Sequence, residues 1–263
     1  MSTYIVLPPM DPLTISLISF GCILASAVTG FVLARFLPEH HLNSESRDAV
    51  KMGWGIVATM SALVLGLLVA SAKNTYDTAN TESTETAAKL VVLNHKLVQF
   101  GPDADGVRSS LRSAIASAIK RDYPDVNLEA DVPAAAENAN VMEGFSDRLI
   151  TLTPKTDAQQ VILAQAKQLT IELNLARWLL IEQSKNPLPL TLIVAVVFWL
   201  SILFLGLGLF CPNNHTVLIM LILCSVSVSV AIFLVNDMSH PFKGLITVSP
   251  GAMLDVWGHL NHP

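Results

Sequence analysis

Four stretches of nearly unbroken hydrophobicity divide the chain, and one long polar stretch separates the second from the third. The first runs from Leu13 to Ala34, between Pro12 and the pair Arg35 and Pro38. The second runs from Met52 to Ala72, between Lys51 and Lys73. The third and fourth, Leu188 to Phe210 and Thr216 to Val235, share a segment from Lys185 to Asp237 with no Asp, Glu, Lys or Arg between its ends. Crossing ~30 Å of hydrocarbon takes about 20 apolar residues as helix, and each stretch is long enough. Cys211-Pro212-Asn213-Asn214-His215 parts the last two with turn chemistry. The pattern predicts four membrane-spanning helices in two hairpins, over residues 1–72 and 188–236. The first stretch has no basic residue before it and is too long for the apolar part of a cleaved leader, so it reads as a span.

The insert over residues 73–187 keeps a helical period. Leu90, Leu93, Leu97 and Phe100 recur at spacings of three and four until Gly101-Pro102 stops them. With no helix breaker between Ala72 and Phe100, the second span is expected to continue as one long helix. Val107, Leu111, Ala114, Ile115 and Ala118 repeat the pattern up to Tyr123-Pro124, and Asn127 to Ala139 reads as a loop. Beyond it, Val161, Ala164, Gln168 and Ile171 share one helix face. Ile162, Ala166, Leu169, Leu173, Ala176 and Leu180 form a stronger apolar stripe. No period-two strand signal and no internal repeat occurs. The expected fold is an all-α integral membrane protein with a water-exposed helical insert and an interfacial tail over residues 237–263.

Composition agrees. Hydrophobic residues make up 52% of the 263 and charged ones 14%, against roughly 25% charged in soluble domains, and mean hydropathy is +0.52. Such a chain is neither disordered nor collagenous, and a net charge of −5 offers no footprint for nucleic acid. Cys22, Cys211 and Cys224 lie in or beside apolar runs, as small hydrophobes rather than disulfide or zinc partners. Charge divides on orientation. Arg35, Arg47 and Lys51 between the first two spans put the insert outside by the positive-inside rule, while Lys73, Lys89, Arg177, Lys185 and Lys243 pull the other way.

Enzyme chemistry has no foothold: there is no Gly-rich phosphate loop, no HExxH and no nucleophile elbow, and no cofactor is implied. His40-His41 beside Glu39 reads as a wet loop, since adjacent residues on a helix diverge. No charged residue lies within a span, so a proton relay of the transporter kind has no support, whereas a passive pore can gate through apolar walls. The second span carries the informative pattern. Ala58, Ala62, Gly66 and Ala70 make one face small, which lets helices approach closely in lipid. That stripe either holds together the spans of one subunit or packs on neighbouring spans while Thr59, Leu63 and Leu67, on another face, line a central axis. Ser225, Ser227 and Ser229 in the fourth span spread around the helix, and interhelical hydrogen bonds are expected of them. After that span come Asn236-Asp237-Met238-Ser239-His240-Pro241-Phe242-Lys243-Gly244, where the proline ends the helix. Ser249 and Pro250 can start a further one. Its face of Met253, Leu254, Trp257 and Leu260 suits either the membrane surface or the insert.

Ser61-Ala62-Leu63-Val64-Leu65-Gly66-Leu67-Leu68-Val69, together with Pro241-Phe242-Lys243-Gly244, resembles the bestrophin-like bacterial membrane family, a domain of unknown function. Gly101-Pro102 with Arg108, Phe198-Trp199-Leu200, Leu207-Gly208-Leu209-Phe210 with Pro212-Asn213, and Val248-Ser249 extend the likeness from about Leu42 to Leu260. A more distant resemblance is to bestrophins themselves, pentameric anion channels with an apolar neck on the second span and cytoplasmic termini. It implies neck positions at Thr59, Leu63 and Leu67, with Leu where bestrophins carry an aromatic at two of them. It also implies an inner (plasma) membrane location and an insert in the cytoplasm. The bestrophin calcium clasp has no counterpart here, because Lys243-Gly244-Leu245-Ile246 replaces its acidic run. The expectation is a homo-oligomeric, anion-conducting channel whose partners are the bilayer, copies of itself and inorganic ions. The alternative is a non-conducting scaffold or sensor whose insert binds a partner.

Overall fold

A computed structural model describes residues 11–37, 44–128, 141–184, 190–211 and 214–261. Those residues form eight α-helices: α1 (Pro12–Phe36), α2 (Ser44–Phe100), α3 (Asp105–Asp122), α4 (Val141–Thr151), α5 (Asp157–Ser184), α6 (Leu190–Phe210), α7 (His215–Met238) and α8 (Gly251–Asn261). No strand occurs among them. Helices α1, α2, α6 and α7 are long and apolar enough to cross a membrane. In hydrocarbon every backbone N–H and C=O needs a partner within the segment, and helices supply it. The proposed loop is described only at Asn127 and Leu128, and α4 follows it. His40 and His41 lie outside the described residues, as do Lys185 and Pro212-Asn213.

The chain divides into two compact units. The first takes in Met1–Thr75, Asn186–His240 and Gly244–Ile246. Within it α1 packs extensively on α6 and α7. Ile23 and Ala27 are buried with Phe204 and Leu221, while Leu68 and Ala72 of α2 join Ile193, Val196, Ile232 and Val235. Glycines bring α1 and α6 into close approach. A Cβ on Gly30 would meet the Leu205 carbonyl oxygen at 2.1 Å, and one on Gly208 would meet that of Ala27 at 2.1 Å. Hydroxyls in this unit serve their own helices. Ser225, Ser227 and Ser229 donate to the carbonyls of Leu221, Leu223 and Ser225, and Ser16, Ser19 and Ser61 do likewise. The interhelical bonds expected of the α7 serines are absent among the described residues, because the i−4 carbonyl offers a nearer acceptor. Cys22 and Cys224 face outward rather than into the core.

The second unit comprises Tyr76–Lys185, Pro241–Lys243 and Thr247–Pro263. Leu90, Leu93, Leu97 and Phe100 of α2 meet Leu111, Ile115 and Ile119 of α3, Phe145 and Leu149 of α4, and Leu163, Ala166 and Leu173 of α5. The stronger α5 stripe thus faces the core through Ala166 and Leu173, while Val161, Ala164, Gln168 and Ile171 stay exposed. Helix α2 stops at Gly101, whose φ of 107° suits glycine. Gln159 Nε2 donates to the freed Phe100 carbonyl at 2.8 Å. Helix α8 begins one residue beyond Pro250, with Gly251 N–H donating to Ser249 Oγ. Val256 and Leu260 enter the core, and the Arg112 guanidinium lies 5.7 Å from the Trp257 ring centroid. Of the two placements open to the tail helix, it takes the one on the insert.

Candidate functional site

Helix α2 presents one face inward and leaves the opposite face open. At about 100° per residue, its inward face gathers Ser61 (3% exposed), Leu68 (3%) and Ala72 (0%), with Trp54, Val57, Val64 and Leu65 partly covered beside them. Leu63 stands roughly 200° around from Ser61 and is 70% exposed; Leu67 is 62% exposed. Thr59 shares that open face, its hydroxyl donating back to the Gly55 carbonyl at 2.8 Å, so a methyl is the group left outward. Ile56 and Met52 extend the same apolar surface.

Ala58, Ala62, Gly66 and Ala70 are exposed as well, and a Cβ on Gly66 would meet nothing within 4 Å. A spacing of four advances about 40° per step, so the stripe winds from beside the inward face at Ala58 to the open face at Ala70. Among the described residues this stripe stays exposed, and Gly30 and Gly208 make close helix contacts instead. In the second unit, α2 leaves Asp77, Thr81, Thr84, Glu85, Ala88, Val92 and His95 exposed.

The segment after α7 is held by a buried acid that the motif reading passed over. Asp237 is 1% exposed. Its carboxylate accepts from the Leu245 N–H at 3.0 Å and the Ile246 N–H at 2.8 Å. Gly244, at φ 126°, closes the turn between them, and a Cβ there would lie 2.2 Å from Asp237 Oδ1. Pro241 accepts from the Val248 N–H at 2.8 Å. Phe242 packs edge-on against Tyr123 with centroids 6.3 Å apart, and burial raises the Tyr123 hydroxyl pKa above its ordinary value. The sequence signal was present: a lone carboxylate closing a charge-free segment, seven residues ahead of a glycine. The described residues contain no group of three or more His, Cys, Asp or Glu able to hold a metal ion.

Comparison with known proteins puts a family to this arrangement. The chain resembles the crystal structure of a bacterial bestrophin homologue from Klebsiella pneumoniae with a TM-score of 0.65 at 10% identity, covering 93% of this chain and 96% of that one. A point variant of that homologue gives 0.64 at 11% identity, with 91% and 96% covered. The crystal structure of a membrane protein variant gives 0.63 at 11% identity, with 93% and 96% covered. Among curated proteins no sequence matches. The sequence profile of the Bestrophin-like domain matches residues 21–253, and the chain is a member of the bestrophin-like family of membrane proteins.

Proposed function

We propose that the protein is a homo-oligomeric ion channel whose second span lines the pore, with Thr59, Leu63 and Leu67 as an apolar neck. The observation that carries this reading is the open face of α2. Large apolar side chains and a small-residue stripe lie side by side on one helix, exposed among the described residues. Copies arranged around an axis would use both: the stripe for close approach between α2 and its neighbour, the Leu63 face for a constriction that gates by dewetting. A ring of five follows from the likeness to bestrophins, as do the inner membrane and a cytoplasmic position for the insert. Pro241, Phe242 and Gly244 then anchor the end of the fourth span rather than touch the ion.

The permeant ion is an anion in this reading, as in bestrophins. A second reading, cation conduction, is favoured by the exposed Glu85 of α2, beyond the apolar stretch. Repeated around an axis, carboxylates there would concentrate cations. Flux through purified protein in liposomes, under separate chloride, nitrate and potassium gradients, tests both. The Leu63→Ala/Leu67→Ala variant is expected to conduct several-fold more than the parent. An unchanged rate in an active protein would remove the neck from these residues, and no flux from intact oligomers under any gradient would favour the scaffold.

A further inference from the structure

We propose that Trp54 is a positioning residue that sets the rotational register of α2, with Gly206 of α6 as its receiver. The proposal rests on the reading of α2 as the pore helix. An ideal Cβ on Gly206 would lie 1.7 Å from Trp54 Cζ2, 2.3 Å from Cε2 and 2.8 Å from Cη2. The indole therefore occupies the space that any other residue at position 206 would fill with its own side chain. Phe210, one turn further along α6, meets the indole edge-on with centroids 5.6 Å apart and planes at 69°. A rigid bicyclic side chain in a notch of this kind has few other seatings, since protein interiors are close-packed and resist small displacements.

The placement of this contact gives it leverage over the neck. From Trp54 to Leu63 the helix turns through about 180° beyond whole turns, so the indole points into the unit where Leu63 points out of it. Leu68 and Ala72 bury on the inward side further along. Thr59, Leu63 and Leu67 thus lie between two inward anchors on the opposite face. Rotation of α2 about its own axis swings the neck residues only by drawing the indole out of the Gly206 notch. A methyl at position 206 forces that movement, because the atoms it meets belong to a ring held by Phe210.

The test uses the full chain in liposomes, with Leu63→Cys as a reporter and the three native cysteines replaced by alanine. Parent, Gly206→Ala, Trp54→Leu and the double variant are compared for the alkylation rate at position 63 by a water-soluble reagent. Ion flux is measured on the same four without the reporter. Gly206→Ala is expected to shift the alkylation rate several-fold. Trp54→Leu in the same chain should bring it back toward the parent, since the shorter side chain no longer meets the methyl. Independent, additive effects of the two substitutions would overturn the proposal. An alkylation rate indifferent to both would also overturn it. Trp54→Leu alone adds no clash and so serves where Gly206→Ala fails to fold: it too should shift the rate, and no shift counts against the positioning role. Alkylation reads the register without requiring conduction. Coupled shifts without flux in any of the four would therefore keep Trp54 in its role and remove the pore.

Discussion

Gly208→Ala is expected to lower the melting temperature of the purified protein by several degrees. The added methyl would sit 2.1 Å from the Ala27 carbonyl oxygen and 3.1 Å from the Phe31 amide nitrogen, backbone atoms of α1 that cannot step aside as a side chain does. Helix α1 must move off α6, and the reciprocal contact of Gly30 with the Leu205 carbonyl moves with it. Overpacking a close-packed contact costs about 1–3 kcal/mol, and backbone against backbone belongs at the upper end of that range. In lipid no hydrophobic force holds two spans together, so the lost contact is a large part of what joins them. Gly21→Ala, on α1 with nothing within 4 Å of its new methyl, is the control and should melt with the parent. Circular dichroism on heating in detergent reads both. Equal melting of Gly208→Ala and the parent would mean that α1 and α6 do not meet as described.

Asp237→Ala is expected to free the segment between α7 and α8. The carboxylate accepts from two backbone N–H groups, and hydrogen bonds to a charged group contribute about 1.5–3 kcal/mol each. Amide exchange at Leu245 and Ile246 should rise by orders of magnitude, while amides in the middle of α3 keep their protection. Gly244→Ala attacks the same clamp from the other side, through a φ of 126° and a methyl 2.2 Å from Oδ1. Because both variants break one contact, the double variant should cost little more than the worse single one. Protection at Leu245 unchanged by either substitution would show that the clamp does not hold the turn.

Much of this protein is local in origin. The spans follow from apolar length alone, because a segment in hydrocarbon has to satisfy its own backbone and the helix is the way to do it. The start of α3 past Gly101-Pro102 and the inward face of α5 follow from residue order and period, because a helix breaker and apolar spacing act within a few residues. The family likeness was legible in Ser61 to Val69 and in Pro241 to Gly244, where the resemblance implied a neck and a post-span motif. Helix α4 was not legible, since the Asp, Ala and Asn content from Asn127 to Ala139 masks where a helix restarts.

Faces and partners were a different matter. Ala58, Ala62, Gly66 and Ala70 have the same small side chains as Ala27, Gly30 and Gly208, yet one set is open and the other carries close packing between α1 and α6. Nothing in either stripe read alone distinguishes them, because small residues permit close approach without specifying to what. Asp237 closes the charge-free segment in the sequence, and only the folded turn brings the Leu245 and Ile246 amides to its carboxylate. The tail helix had an apolar face suited to membrane or protein, and only the cluster of Leu111, Phe145 and Leu173 showed where Val256 and Leu260 go. Periodicity records that a side chain must leave water. Which surface takes it depends on shape and on hydrogen-bond geometry between segments far apart in the chain, and those exist only once the helices are packed.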